Sequence, residues 1–435
     1  MGSDQHAIDM NLTASPHRRA FAGVLDQALS SVSNFAVIVF VARNSGLESF
    51  GAFTLTYLLY GLALGILRAV GGEILLLASG PSRERGQKHN RDLLGLSVEF
   101  GIATGVLLGA IAVAVPSMLG ASMSAMAIVL PIVLWQDACR YIVIARQQPG
   151  QAIVMDALWL AVQVAAFAVL TLTGLEHDVA AAIFGWAAGA AVAGLYGASR
   201  IRLLPRWGAT RRWLRVHRAR VKAFLADFLL LTGTLYLSVY AVGAVAGLAV
   251  VAAFRGAYLL FAPFDSFLSG ARLFTLPALA NACANGQARV TQVARQIALY
   301  TSVPAAVWGV LAISLPSNVG TAILGATWTA VEPVAPGIAI VYLGRTIALP
   351  AIDGLRAIGA GRLLVILRIL TGSLSLVAVV AGATVDGARG AAYALAVTYV
   401  LTTALWWGGL SRASRFDDID ARGGGRGAVA GPSAP

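Results

Sequence analysis

Four arginines, Arg68, Arg255, Arg272 and Arg345, stand inside otherwise apolar stretches of the chain. A guanidinium stays charged at physiological pH and forks onto carboxylates or phosphates through parallel N–H bonds. The chemistry these groups offer is therefore anion binding. Each shares a helical face with other polar side chains. Arg68 lies with Tyr57, Tyr60, Gly61 and Gly72, and Arg255 and Arg272 with Tyr258, Asp265, Ser266 and Ser269. Arg345 lies with Tyr342, Thr346, Asp353 and Arg356. Near the N-terminus, Asp26, Gln27, Ser30, Ser33, Asn34 and Val37 fall on one side at a period of 3.6 residues, ahead of apolar Ala36 to Ala42. Asp227, Thr234 and Ser238 repeat that arrangement. Asp26, Asp227 and Asp265 read either as ligands for a coupling ion or as counter-ions to the arginines.

The elements that position these residues are membrane helices. Hydrophobic residues make up 58% of the chain and charged residues 12%, with a mean hydropathy of +0.76. Apolar windows of about 20 residues recur, each long enough to cross a bilayer core. Backbone groups in lipid must bond within their own segment, which makes these windows helices. Spans are predicted at 20–42, 52–77, 93–115, 123–145, 152–173, 179–199, 223–244, 252–275, 297–316, 334–356, 363–384 and 390–410, numbered 1 to 12 below. The first span is too long and too polar at its start for a cleaved signal peptide. Basic residues crowd alternate loops, which predicts both termini in the cytoplasm. The organisation expected is a cytoplasmic N-terminal tail (1–19), a six-helix bundle (20–199), a basic cytoplasmic linker (200–222), a second six-helix bundle (223–411) and a low-complexity cytoplasmic tail (412–435). The linker holds nine basic residues with Trp207 and Trp213 among them, and reads as a connector resting on anionic lipid. Cys139 and Cys283 fall near cytoplasmic span ends, so no disulfide is expected.

The two halves repeat each other. An ungapped offset of 201 residues pairs Asp26 with Asp227, Gly46-Leu47 with Gly247-Leu248, Ala52-Phe53 with Ala253-Phe254, and Tyr57-Leu58-Leu59 with Tyr258-Leu259-Leu260. Spans 1 and 7 both start in the cytoplasm, so the repeat is parallel, with its axis along the membrane normal.

An ionised side chain at mid-bilayer costs roughly 2.5–3.5 kcal/mol on insertion scales. Five helices with coherent polar stripes are untenable facing lipid, and must face water or a charged ligand. Other charges read as local features. Asp137 and Arg140, and Asp353 and Arg356, are three apart and suit ion pairs within one helix. Glu73, Glu99 and Asp156 lie near span ends and read as interfacial. Gly61-x3-Gly65, Gly105-x3-Gly109 and Gly185-x3-Gly189 read as close-packing devices.

Enzyme chemistry finds no footing. There is no G-x-x-x-x-G-K-[ST] phosphate loop and no H-E-x-x-H pair, and the five histidines lie in tails and loops. The longest outer loop, Ser317 to Pro333, carries only Glu332. No cofactor and no nucleic-acid partner is expected.

At ARNSGLESFGAF, Ala42 to Phe53, the chain resembles the polysaccharide-export, O-antigen-type branch of the multidrug/oligosaccharidyl-lipid/polysaccharide (MOP) exporters. That family reads A-R-x-x-G-P-E-x-F-G-x-[FY] here; this chain keeps Ala42, Arg43, Gly46, Glu48, Phe50, Gly51 and Phe53, with Leu47 in place of Pro. The resemblance implies two six-helix bundles, spans 1, 2, 7 and 8 lining a central cavity, and alternating access. The function expected is flipping of polyprenyl-pyrophosphate-linked oligosaccharide to the outer leaflet for cell-surface polysaccharide biosynthesis. In that reading Arg68, Arg255, Arg272, Arg345, Tyr57, Tyr258, Gln27 and Asn34 bind substrate, and H⁺ or Na⁺ couples through Asp26, Asp227 or Asp265. Tyr60 and Tyr342 are further candidates for stacking on sugar rings. The expected setting is a bacterial plasma membrane, with membrane lipids and glycosyltransferases or a polysaccharide polymerase as partners. The alternatives are a multidrug and toxin extrusion (MATE) cation antiporter, which needs an acidic cavity, and a non-transporting scaffold that holds a glycan-synthesis complex.

Overall fold

The computed structural model describes the backbone of residues 16–78, 83–115, 117–284 and 286–423. Among these residues there is helix and turn but no strand. Seven predicted spans are single helices long and apolar enough to cross a membrane: Leu47–Leu77, Gly86–Ala114, Met118–Ala145, Pro149–Thr173, Val179–Ile201, Arg289–Ile313 and Ala335–Ala357. Spans 11 and 12 form one continuous helical stretch, Gly361–Gly423, broken where Asp386 and Gly387 leave helical geometry. Gly387 makes that break at φ 52°, which glycine adopts without a Cβ clash.

Of the remaining three spans, all among those that carry polar stripes, spans 7 and 8 are irregular. Span 1 is the helix Pro16–Asn44, and its described part Ser31–Asn44 is apolar. Span 7 runs Arg218–Phe228, a π-helical turn Leu229–Gly233, then Thr234–Ala246. Span 8 is a bent pair, Leu248–Leu259 and Ala262–Ala284, at 49°. The carbonyl of Leu260, at the bend, accepts the indole N–H of Trp308 at 3.0 Å. Span 2 also carries a π turn, Arg68–Gly72, which starts at its arginine.

Two compact units group the chain, Met1–Tyr236 with Thr321–Thr327, and Leu237–Gly320 with Trp328–Pro435. Lipid is as apolar as leucine, so membrane helices associate through close packing rather than hydrophobic burial. In the first unit a Cβ on Gly105 would lie 2.6 Å from the Ala127 carbonyl oxygen, and one on Gly189 would lie 2.6 Å from that of Trp159. Both bear out the close-packing reading of those glycines. Phe50, Phe53, Met126, Leu134 and Trp186 fill the first unit's interior. The second unit packs Leu279, Val290, Ala294, Ala351, Leu355 and Leu410 together. Val113, Leu172 and Val385 point outward, each more than four-fifths exposed, as side chains that meet lipid would.

Candidate functional site

In the first unit, spans 1, 2, 4, 5 and 6 bring their polar residues together. Arg68 donates from Nη2 to Asp137 Oδ1 at 2.6 Å and from Nε to Oδ2 at 3.1 Å. Arg140 instead meets Asp156 at 3.3 Å. The sequence expectation of a local Asp137–Arg140 pair is therefore corrected. Asp137 is 4% and Asp156 3% exposed, and a buried carboxylate needs a cation with good geometry. A forked approach from span 2 supplies that to Asp137, and a single ionic contact from span 4 serves Asp156. Asp156 is correspondingly a buried partner rather than an interfacial charge. Glu73, in contrast, is exposed as expected.

Tyr57 donates to Asn34 Oδ1 at 2.7 Å. Ser33 donates to Gln163 Oε1 at 2.7 Å, and Gln163 Nε2 returns a bond to the Ser33 carbonyl at 3.0 Å. Tyr57 and Tyr60 both touch the ring of Trp186. Ser33, Asn34, Asp156 and Trp159 line a small cleft. The side chains of Asp26 and Gln27 lie outside the described residues. Asp227 is exposed.

The second unit builds a related cluster from spans 8 and 10. Asp265 accepts from Tyr342 Oη at 2.6 Å and from Arg345 at 2.9 Å. The Arg345 guanidinium also stands over the Tyr342 ring, 5.5 Å from its centroid, and Tyr258 lies 5.8 Å from the same ring. Asp353 is held from two sides, by Arg272 at 2.8 Å and Arg356 at 3.0 Å. The local Asp353–Arg356 pair expected from spacing is present. Arg272, Thr275, Thr301, Thr346 and Asp353 line a cleft. Arg255 is half-buried and forms no ion pair among the described residues. The Phe-x3-Tyr shared by the two halves of the sequence gives equivalent contacts: Phe53 lies 5.3 Å from Tyr57, and Phe254 5.1 Å from Tyr258.

The charge balance differs between units. In the first, Arg68 and Arg140 meet Asp137 and Asp156 one to one. In the second, among the described residues, Arg272 and Arg356 share Asp353 and Arg345 takes Asp265, while Arg255 meets no carboxylate. Two positive charges are left over. Each guanidinium is also only partly covered, with side chains of Arg272, Arg345 and Arg356 between 35% and 46% exposed.

A further set of contacts involves the linker, whose helix is Ala209–Val216. Glu99 accepts the backbone N–H groups of Ala209 and Thr210 at 3.1 and 3.2 Å. It caps the linker helix, whose orphan N–H groups need an acceptor, and is not a free interfacial charge. Arg212 pairs with Asp92, and the Trp213 indole donates to the Val70 carbonyl, inside the π turn after Arg68, at 2.8 Å. Cys139 is buried and Cys283 partly buried, and both are free. Among the described residues no group of three potential metal ligands occurs.

No protein-family model matches the chain, and no curated protein does. Solved structures do. An inward-facing multidrug-resistance MATE transporter of the MOP superfamily aligns at TM-score 0.63 and 14% identity, over 89% of this chain and 96% of that one. The lipid II flippase MurJ, in an inward closed conformation, aligns at TM-score 0.68 and 11% identity, over 91% and 90%. A MOP superfamily transporter from Pyrococcus furiosus, described as having a binding pocket of reverse polarity, aligns at 0.51 and 12% identity, over 91% and 94%. Two of these proteins are described as transporters and one as a flippase. The chain is a multi-pass membrane protein with the fold of the MOP superfamily transporters.

Proposed function

We propose that the chain flips a polyprenyl-pyrophosphate-linked oligosaccharide across the membrane by alternating access, for cell-surface polysaccharide synthesis. The observation that carries this reading is the surplus of arginine over carboxylate in the second unit, beside Tyr258 and Tyr342. A pyrophosphate supplies the missing negative charge. Charge-assisted hydrogen bonds to such a group contribute about 1.5–3 kcal/mol each. Tyr258, partly exposed, offers a ring face and a hydroxyl to a sugar, while Tyr342, buried against Phe261 and bonded to Asp265, braces the cluster. Arg68 and Tyr57 with Asn34 act in the first unit, and Arg255, Arg272 and Arg345 in the second. Asp265, already engaged by Tyr342 and Arg345, serves the cycle by exchanging those partners. Asp26, Gln27 and Asp227 remain the sequence's candidates on spans 1 and 7, and H⁺ or Na⁺ remains the coupling ion. That one structure of the same fold is a lipid II flippase supports the substrate class. The setting proposed is a bacterial plasma membrane with both termini cytoplasmic, near glycosyltransferases or a polymerase.

A cation antiporter of MATE type is the second reading. It draws on the first unit's cleft, where Asp156 lies with Ser33, Asn34 and Trp159. Proteoliposomes separate the two. Arg255 is the cleanest variant, because removing it strands no carboxylate. The flippase reading expects translocation of a fluorescent lipid-linked oligosaccharide that Arg255→Gln abolishes in a protein that still folds. Efflux of a cationic dye with no glycolipid movement would favour the antiporter. Activity in neither assay, with glycan synthesis in cells lost on deleting the linker but not on altering Arg255, would favour a scaffold.

A further inference from the structure

The linker helix Ala209–Val216 has two faces with different surroundings. One face is docked on the first unit through Glu99, Asp92 and the Val70 carbonyl. The chain ahead of it comes so near that a Cβ on Gly95 would lie 2.0 Å from the Arg206 carbonyl oxygen. This seat is specific, and it fixes which side chains turn outward. Those are Arg211, Leu214 and Arg215 on the helix, with Leu204, Arg206 and Trp207 before it. Leu204 is 75% and Trp207 69% exposed.

We propose that this outward surface binds the headgroups of anionic phospholipids in the leaflet it borders. Three observations support that occupant. Residues 200–222 hold nine basic side chains and no acidic one. Arg206, Arg211 and Arg215 are exposed and meet no carboxylate among the described residues. An apolar leucine and an indole lie among these cations, the combination that suits a headgroup layer with acyl chains beneath it. The segment leaves span 6 at Ile201 and enters span 7 at Arg218, so it is tethered at the bilayer surface at both ends. The docked face of the same helix bonds to the π turn that follows Arg68. A short chain of contacts thus joins the lipid-facing surface to the first unit's arginine.

The test uses the full-length protein in phosphatidylcholine nanodiscs that contain matched mole fractions of brominated phosphatidylglycerol or brominated phosphatidylcholine. Bromine quenches tryptophan on contact. The chain has nine tryptophans, so the linker signal is the difference between wild type and Trp207→Phe. The expected result is several-fold stronger quenching of Trp207 by the anionic lipid, weakened by high salt. Each cation at an anionic surface contributes about fivefold. The combined variant Arg206→Gln, Arg211→Gln, Arg215→Gln, which touches none of the proposed substrate residues, is expected to erase the preference while the protein elutes normally. Equal quenching by the two lipids, or a preference undiminished in the triple variant, overturns the proposal. So does the absence of quenching by either lipid, the outcome for a surface that awaits a soluble partner.

Discussion

Replacing Asp353 by Asn would leave Arg272 and Arg356 facing each other without the carboxylate that both grip, at 2.8 and 3.0 Å. The asparagine keeps the shape and one acceptor, so the perturbation is nearly pure charge. Removing one partner of a buried ion pair costs about 3–5 kcal/mol. Asp353 is 2% exposed, but both arginine side chains are about a third exposed, and solvent screens part of the repulsion. We expect a cost of about 2 kcal/mol, which lowers the melting temperature by roughly 4–8 °C in a unit of this size. The assay is thermal aggregation of purified protein followed by size-exclusion chromatography. Its second arm adds a polyprenyl pyrophosphate. If the surplus guanidinium charge is there to hold an anion, the lipid should restore several of the lost degrees in Asp353→Asn, and should stabilise that variant more than wild type. An Asp353→Asn protein that melts with the wild type, or one that the lipid leaves unchanged, would refute the reasoning.

Other outcomes follow from the same geometry. Trp213→Phe removes the indole bond to the Val70 carbonyl, at a cost of about 0.5–1.5 kcal/mol, and should raise hydrogen exchange across residues 68–72 and 209–216. Gly95→Ala forces a Cβ against the Arg206 carbonyl oxygen; overpacking of this kind costs about 1–3 kcal/mol, and the linker should become a site of limited proteolysis. His217 packs tilted against the Trp213 ring at 4.4 Å, and burial, then His89 and Arg220, hold its pKa below the ordinary 6.5 against the opposing pull of Asp92. Its contribution to linker docking is therefore full above pH 6.5 and is lost as pH falls below that value. Exchange of the linker should rise between pH 7 and pH 5 in wild type, and His217→Gln should flatten that rise.

Much of this was legible in the sequence because lipid makes polar residues conspicuous. Arg68, Asp265, Tyr342 and Arg345 stood out on apolar helices, and the structure brings the last three into one cluster. The Phe-x3-Tyr repeat showed as sequence identity and returns as matching ring contacts. What escaped was pairing between helices. Asp137 and Arg140 sit three apart on one helix, a spacing that suits a local bond, yet each reaches a different span, Asp137 to Arg68 and Arg140 to Asp156. Gln163, a lone amide on span 5, offered a signal that went unread; burial in an apolar helix made a partner obligatory, and Ser33 is that partner. Glu99 as the cap of the linker helix was beyond reach, because a contact across 110 residues leaves no periodic trace. The indole that bonds to the π turn at Arg68 likewise arrives from the linker, 143 residues away.

The most direct measurement is native mass spectrometry of the purified protein titrated with undecaprenyl pyrophosphate, for the wild type and for Arg255→Gln, Arg272→Gln and Arg345→Gln. A lost charge-assisted bond of about 1.5–3 kcal/mol weakens binding by at least tenfold. The account predicts saturable binding by the wild type and a loss of that size in each variant. Undiminished affinity in all three would contradict it.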